Sequence, residues 1–230
     1  MYENKNGIFL HLHHSYIIDH MTKNFEVETD ILKEASRLFF EKGYKKVTVD
    51  EIASNLRISK KTIYKYYKSK QDLLEDSFEK WQTKLSSEVN EIIDKVDLTF
   101  IDKLKEMMSH VGVAMGRMNS ILILDIQENV PHLWTRINNY KHEAAFQRFN
   151  RLIEEGIKKG QIKKGVNKAL IVALYACAIE NLLDPNFLKN LPENLRKNLP
   201  EYHSDIFDST LKIIYEGILT DDALKSLRKH

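Results

Sequence analysis

Apolar residues recur at helical spacing along most of this 230-residue chain, and the clearest pattern lies in its first third. One face of a short helix is built by positions i, i+3, i+4 and i+7, which are Val49, Ile52, Ala53 and Leu56. Thr48 precedes this face and Glu51 follows three residues later, the spacing of a capping box that fixes where a helix begins. Ser59 can cap a second helix, with Ile63 and Tyr67 turned inward. The pattern predicts a helix-turn-helix.

The outer side of the predicted second helix carries different chemistry from its inner side. It presents cations, a hydroxyl group and phenols, which are Lys60, Lys61, Thr62, Tyr64, Lys65 and Tyr66. A helix of about seven residues is roughly 10 Å long and can enter the DNA major groove end-on. The first residues of such a helix reach base edges, so the base-reading candidates are Lys60, Lys61 and Thr62, with Arg57 as a further candidate. The side chains expected to position the phosphate backbone are Tyr64, Lys65, Tyr66 and Lys70.

Positive charge is concentrated in the same stretch. Residues 41–70 contain nine Lys or Arg against three Asp or Glu, a net charge of +6, whereas the whole chain carries +2. The remaining residues therefore sum to −4. A basic segment on an otherwise slightly acidic protein is typical of a surface that binds phosphate.

Two motifs stand close together in this region, F-x-x-x-G-Y-x-x-x-T-V-x-x-I-A and S-K-x-T-I-Y-x-Y-Y-x-S-K-x-D-L-L. With their surroundings, from about residue 29 to 74, they resemble the DNA-binding domain of the TetR/AcrR family of bacterial transcriptional regulators. The resemblance implies phosphate contacts by Thr48, Tyr64, Tyr66 and Lys70. It does not extend to the C-terminal two-thirds of the chain.

One position departs from the family pattern. The family usually has glycine in the turn, where this chain has Arg57. If the turn requires a positive φ, arginine adopts it at an energetic cost. Alternatively, the turn differs slightly here and Arg57 points at DNA. The sequence leaves both interpretations open.

The flanking patterns predict how the chain is divided. We expect a first helix over residues 26–42 that is stopped by Gly43, with an inner face made of Ile31, Ala35, Leu38 and Phe39. Ser69 and Asp72 mark the start of a long fourth helix that ends near Lys95. With the resemblance, these patterns predict a leader or disordered extension (residues 1–24), a helix-turn-helix DNA-binding domain (25–70) and a helical ligand-binding and dimerisation domain (71–230).

The rest of the chain is predicted to be helical as well, because Gly and Pro are scarce and apolar spacing stays helical. The fold class is therefore all-α, with about nine helices. Pro131 suits the first turn of a long helix that ends at Gly156 or Gly160. The last stretches are predicted as a Pro- and Asn-rich loop (184–203), a final helix (205–219) and a polar tail (221–230).

The first twenty residues do not fit the pattern that follows them. Met21 precedes a polar stretch of the kind that normally comes before a helix-turn-helix DNA-binding domain of this family. Residues 1–20 are therefore either a leader or a misassigned extension. Three histidines in this segment, His11, His13 and His14, are possible ligands for a transition metal. Because no second cluster stands at a matching spacing, we predict no metal site.

No catalytic constellation is evident in the sequence. Asp125 and the histidines of the helical patterns are not paired with a nucleophile, and there is no Gly-rich phosphate loop, so we predict no cofactor and no enzymatic activity. Cys177 is the sole cysteine, which excludes an intramolecular disulfide and fits a reducing cytoplasm. The longest apolar run, residues 169–179, is far short of the roughly 20 residues that span a bilayer, so no membrane partner is expected.

A soft apolar stripe follows the fourth helix in sequence. It is composed of Met107, Val111, Met115, Met118 and Leu122. Such a stripe is either plain core packing or the wall of a pocket, since flexible thioethers suit an adaptable cavity. The resemblance implies a ligand cavity among these middle helices. Further wall candidates are Trp134, Phe146, Phe149 and Tyr175.

The two long helices near the end of the chain are together too apolar to face water. In the family, the corresponding helices form a four-helix dimer interface. Two DNA-binding units about 34–36 Å apart would meet successive major grooves and require a roughly palindromic operator. We therefore expect a cytoplasmic, homodimeric, ligand-responsive transcriptional repressor, with double-stranded DNA and a small apolar or amphipathic effector as partners. Two alternatives stay open: an effector-free nucleoid or division factor, and an enzyme with an appended helix-turn-helix.

Overall fold

The structure, a computed structural model, describes residues 5–182, 184–200 and 203–228, and within them the side chains of 24–144, 146–182, 184–200, 205–206, 208–225. The predicted histidine cluster and the predicted start at Met21 lie outside the side chains described. The described chain is helical along most of its length, which confirms the all-α class.

The helices are more numerous than the nine or so predicted. Over the described residues they are α1 Lys5–Lys42, α2 Val49–Leu56, α3 Lys60–Tyr66, α4 Lys70–Asp94, α5 Phe100–Gly116, α6 Ser120–Asn129, α7 Pro131–Ala144, α8 Asn150–Lys158, α9 Lys168–Asn181, α10 Pro185–Lys189, α11 Glu193–Arg196, α12 His203–Ile218 and α13 Asp221–Arg228. A π-helical segment, Ala145–Phe149, links α7 directly to α8.

The chain forms two compact units. The first unit comprises the residues up to Phe39 together with Lys45–Phe78, and the second comprises Phe40–Tyr44 together with the residues from Glu79 onward. Helix α4 is continuous from Lys70 to Asp94, so a single helix contributes residues to both units.

The first unit has a core built from α1, α2, α3 and the beginning of α4. The residues predicted to face inward on α1 are all buried, and so are Ile63 and Tyr67, whereas Leu56 is only half-buried. Burial raises the pKa of the Tyr67 phenol to about 12. Helix α1 begins at Lys5 rather than near residue 26, and it ends where predicted, with Gly43 at a φ of 86°.

Side-chain caps fix the helix starts of the second unit. The Thr99 Oγ1 accepts from the Asp102 N–H at 3.2 Å at the start of α5, and the Asn119 Oδ1 accepts from the Leu122 N–H at 2.7 Å at the start of α6. Pro131 is the first residue of α7, as predicted, where its missing N–H costs nothing.

Of the two glycines predicted to end the long helix, Gly160 is confirmed, because the helix ends at Lys158 and Gly160 follows at a φ of 66°. Gly156 lies inside α8 instead, where an added Cβ would stand 2.6 Å from the Phe100 ring. Two other predictions for the second unit are wrong in detail. The predicted loop contains the short helices α10 and α11, and the predicted polar tail contains α13. Ile162, which follows α8, forms an isolated antiparallel bridge with Leu219, which follows α12.

Candidate functional site

The helix-turn-helix of the first unit is held by local caps. The Thr48 Oγ1 accepts from the Glu51 N–H at 3.1 Å and starts α2, as the sequence predicts. The Ser59 Oγ accepts from the Thr62 N–H at 3.0 Å and starts α3. These caps place the two helices at defined residues, which fixes the side chains that α3 presents outward.

The turn between the two helices is closed by a left-handed arginine. Arg57 has a φ of 54° and a ψ of 37°, and its N–H is directed at the carbonyls of Ala53 and Ser54. The interpretation that the turn requires a positive φ is therefore confirmed. The backbone strain is of the order of 1–2 kcal/mol for a residue with a Cβ. The guanidinium of Arg57 lies exposed.

One face of α3 carries the exposed cations. Lys61, Tyr64 and Lys65 stand at i, i+3 and i+4 and are all exposed. Within the described part of the chain, neither Lys61 nor Lys65 makes an ion pair, and the same holds for Arg57. These three side chains are therefore available to an anionic partner.

The other predicted contact residues are engaged inside the first unit. The Lys60 Nζ lies 2.9 Å from the Asp50 carboxylate, and the Thr62 Oγ1 lies 2.8 Å from the Ser59 Oγ. The Tyr66 hydroxyl donates to the Asn24 Oδ1 at 3.1 Å, and the Lys70 Nζ donates to the Val47 carbonyl at 3.0 Å. Asp50 raises the pKa of the exposed Lys60 ammonium through a hydrogen bond. Each of these groups would have to exchange or share its present partner in order to contact DNA.

The second unit contains a small, partly open cavity of about 50 Å³. Its walls come from α4, α5, α7, the π-helical segment and α9, and the lining residues are Leu85, Val89, Met107, Val111, Met115, Tyr140, Lys141, Ala144, Arg148, Phe149, Tyr175 and Ile179. The rings of Phe149 and Tyr175 stack with their centroids 3.9 Å apart. The Tyr140 hydroxyl lies 3.0 Å from the Ser86 Oγ and 3.3 Å from the Gln82 carbonyl oxygen.

The structure brings five of the nine predicted pocket residues to this cavity, namely Met107, Val111, Met115, Phe149 and Tyr175. The other four do not line it. Met118 and Leu122 are buried elsewhere in the core, Trp134 is half-buried, and Phe146 has 52% of its surface exposed. Phe146 turns outward because it lies in the π-helical segment, whose spacing differs from the α-helical spacing used for the prediction.

The cavity also contains two cations that sequence reasoning missed. Lys141 is buried, with 6% of its surface exposed, and its Nζ lies 4.7 Å from the centroid of the Trp134 ring. Burial lowers the pKa of Lys141 to about 8. Arg148 lies at the same wall, and its Nε donates to the Asn90 Oδ1 at 2.9 Å. In the sequence both look like ordinary helix-surface cations, so only the tertiary packing distinguishes them.

Helices α9 and α12 expose an apolar surface. On α9 this surface consists of Leu170 and Leu174, which are 62% and 61% exposed, followed by the exposed Cys177. On α12 it continues with Ile213, which is 73% exposed, and with Gly217, where an added Cβ would meet no atom within 4 Å. We call these five residues the apolar face. Large apolar side chains at helical spacing with so much exposure are typical of an interface with another molecule.

Comparison with known proteins agrees with the helix-turn-helix geometry. The profile of the family described as "Bacterial regulatory proteins, tetR family" matches residues 31–76. YvaF, an uncharacterized HTH-type transcriptional regulator of Bacillus subtilis, is 25% identical over 197 residues, which cover 84% of this chain and 95% of YvaF. Residues 31–76 form a DNA-binding domain of the TetR family. The protein is accordingly a DNA-binding transcriptional regulator.

Solved structures of other proteins share the fold over most of their length. A TetR-family transcriptional regulator from Marinobacter aquaeolei is 17% identical with a TM-score of 0.62, over 88% of this chain and 97% of that one. SmeT, the repressor of the Stenotrophomonas maltophilia multidrug efflux pump SmeDEF, is 14% identical with a TM-score of 0.58, over 85% of this chain and 92% of that one. A complex of SmeT with triclosan matches equally well, with a TM-score of 0.59.

Two further observations concern membranes and metal ions. Among the residues described, no helix is both long and apolar enough to cross a membrane. The same residues contain no group of three or more His, Cys, Asp or Glu side chains placed to hold a metal ion.

Proposed function

We propose that this regulator is a ligand-responsive repressor that binds a roughly palindromic operator as a homodimer. The observation that carries the proposal is the presence of two features in one chain. Among the described residues, the first unit exposes three cations that make no ion pair, Arg57, Lys61 and Lys65. The second unit contains an apolar cavity, one wall of which is formed by α4. A regulator that responds to a small molecule needs both features.

DNA binding is assigned to α3 and the turn before it. Lys61 and Lys65 are exposed and unpaired within the described residues, and Tyr64 stands between them on the same face. We assign base reading to Lys60, Lys61 and Thr62, and backbone positioning to Thr48, Arg57, Tyr64, Lys65, Tyr66 and Lys70. The Thr48 oxygen accepts a backbone N–H, so its hydroxyl hydrogen stays available to a phosphate oxygen.

The test of this assignment compares two kinds of lysine. DNA fragments selected from genomic DNA by the purified protein supply the operator. Lys61→Ala should change which operator positions matter and cost about 1–3 kcal/mol of binding free energy at those positions. Lys158→Ala, an exposed lysine of the second unit, serves as the matched control and should leave binding unchanged. Equal losses for both variants would refute specific reading by α3.

Dimerisation is assigned to the apolar face. The exposed Leu174 and Ile213, together with the open space at Gly217, suit the self-complementary pairing of two copies across a two-fold axis. Burying such side chains stabilises association by about 25 cal/mol per Å² of apolar surface before the cost of lost freedom. Cys177 lies on the same face and is the only thiol in the chain, so it can report on burial there.

The dimer is tested by placing a charge on the apolar face. Leu174→Glu should give monomers in sedimentation experiments, weaken operator binding and speed the modification of Cys177 by a thiol reagent. Val96→Glu is the control, because Val96 is 98% exposed and lies away from both helices in the sequence. A wild-type protein that sediments as a monomer at micromolar concentration would refute the homodimer.

The size of the cavity requires that it widen before an effector binds. A volume of about 50 Å³ holds only a few water molecules, since one water needs at least 10–15 Å³. Drug-sized ligands occupy pockets of about 300–1,000 Å³. Such a ligand binds only a conformation in which Met107 and Met115 have moved and the cavity has widened. Because Leu85 and Val89 of α4 form one wall, the widened conformation displaces α4 and with it the spacing of the two DNA-binding units in the dimer.

Narrowing the cavity tests the effector response. Met115→Trp should abolish the release of DNA by metabolite extract while leaving operator affinity in the absence of extract nearly unchanged. If the stripe is only core packing, the same substitution overpacks it by about 1–3 kcal/mol and lowers the melting temperature. A destabilised variant that still releases DNA on addition of extract would place the effector elsewhere.

The effector-free DNA-binding factor is the second candidate, and the small cavity volume favours it. Such a factor would bind its DNA with the same affinity in the presence and absence of extract. The wild-type titration in the preceding experiment therefore separates the two candidates.

A further inference from the structure

We infer that the effector carries an anionic group of about the size of a carboxylate on an apolar body, and that the Lys141 ammonium is its counter-ion. This inference rests on the proposed effector site and specifies its chemistry. It comes from the surroundings of Lys141 and from the charges of the cavity wall.

Lys141 is a buried cation without a local counter-ion. Its side chain lines the cavity, 6% of its surface is exposed, and its Nζ lies over the Trp134 ring. Among the described residues, no carboxylate lies within ion-pairing distance of this ammonium. A buried charge is costly unless it is paired, and the attraction of an aromatic ring offsets only part of that cost.

The two carboxylates that act on Lys141 through space are held by other groups. The Glu180 carboxylate lies 2.7 Å from the Nε2 of His142. The Asp184 Oδ1 accepts from the Gln127 Nε2 at 3.1 Å and from the backbone N–H of Asn186 at 2.9 Å, where it caps α10. Both carboxylates favour the charged form of Lys141 through space, yet neither occupies the position beside its ammonium.

The cavity wall favours an anion over other ligands. It contains two cations, Lys141 and Arg148, and no carboxylate, so a cationic ligand would be repelled. Its remaining side chains are aliphatic, thioether or aromatic, apart from the hydroxyls of Tyr140 and Tyr175. An oxyanion beside Lys141 would complete the missing pair, and a hydrocarbon body would occupy the apolar remainder once the methionines move.

Octanoate and octan-1-ol are the probes, because they have chains of equal length and differ in charge. Titration calorimetry measures the affinity of each for the full-length protein. The wild-type protein should bind octanoate at least about tenfold more tightly than octan-1-ol, the ratio expected of one charge-assisted hydrogen bond. Lys141→Met, which keeps the length and apolar stem of the side chain, should lose this preference while its affinity for octan-1-ol stays within about threefold.

Two further variants control for position and for folding. Lys141→Arg keeps the cation and should retain the preference for octanoate. Lys84→Met removes a cation that is 70% exposed in a separate open cleft between α4 and α5, and it should retain the preference as well. Thermal melts establish that each variant is folded before it is titrated.

The outcomes separate this inference from the proposed function. Equal wild-type affinities for the two probes, or a preference that survives in Lys141→Met, would overturn the anionic effector. A preference for octanoate that is lost only in Lys84→Met would also overturn the anionic effector. If octan-1-ol binds and releases DNA without any preference for octanoate, the effector site stands and only its charge is wrong. If neither probe binds at millimolar concentration, both the inference and the cavity as an effector site fail.

Discussion

Replacing Lys141 by methionine should stabilise the protein at neutral pH. The folded state lowers the pKa of this ammonium from 10.5 to about 8, which corresponds to a cost of about 3 kcal/mol for keeping it protonated in the fold. Methionine removes that cost but also removes the contact of the ammonium with the Trp134 ring, worth about 0.5–2 kcal/mol. The net expectation is a gain of about 1–2 kcal/mol in the free energy of unfolding near pH 7.

The pH dependence of this gain is the sharper test. For an ammonium whose pKa is lower in the folded state, the unfolded state binds the extra proton between the two pKa values, so stability rises with pH across that window. The free energy of unfolding of the wild-type protein should therefore rise by about 2 kcal/mol relative to Lys141→Met between about pH 7 and 9.5. The ionisable groups around the ammonium are common to both proteins, and they are Glu180, Asp184, His142 and Arg148.

Urea titrations of the two proteins at several pH values supply the measurement. Three buried tyrosines also make stability depend on pH, because their raised pKa values lower the free energy of unfolding at higher pH; they are Tyr67, Tyr175 and Tyr215. Their contribution is the same in both proteins and cancels in the difference between the two free energies of unfolding. A difference that is independent of pH, or one that grows in favour of Lys141→Met, would refute a buried and uncompensated ammonium.

Three other predictions address the backbone and the DNA interface. Arg57→Gly should raise the free energy of unfolding by about 0.5–1 kcal/mol, because glycine adopts the left-handed turn without a Cβ clash; a lower melting temperature would contradict this. Lys70→Ala should lower the log–log salt slope of DNA binding by about one, provided that its ammonium reaches a phosphate, and an unchanged slope would rule that contact out. Gly156→Ala should destabilise the fold by about 1–3 kcal/mol because of the Phe100 ring, whereas Gly217→Ala, in open space, should stabilise the protomer by about 0.5–1 kcal/mol. Urea titrations that show effects of the same sign for both glycines would contradict the packing described.

The helix-turn-helix was predictable because its determinants are local. Thr48 and Ser59 each cap a helix through an N–H three residues away, and the turn between them is short. The strain at Arg57 was predictable for the same reason, since the family pattern identifies one position of that turn as glycine. Nothing distant has to be known in order to place these side chains.

The cavity was only partly predictable because its composition depends on tertiary packing. The methionines of α5 follow an apolar period, and Met107 and Met115 do reach the cavity. Lys141 has the sequence surroundings of a solvent-facing lysine, and only the packing of α7 against α9 buries it. Phe146 was wrongly predicted to line the cavity. The extra residue of a π turn cannot be recognised in an apolar pattern that is analysed with α-helical spacing.

The π-helical segment Ala145–Phe149 also has an evolutionary consequence. A π turn accommodates one residue more than an α turn, and it can be removed by deleting a single residue. Each residue of an α-helix turns the chain by about 100°, so such a deletion would rotate Lys141 by that angle relative to Leu152 and Ile153 of the core in α8. A one-codon deletion here would replace several cavity-lining side chains at once while leaving the sequence of α7 intact. The length of this segment is therefore a means by which related genes can change the lining of this cavity without passing through a series of core substitutions.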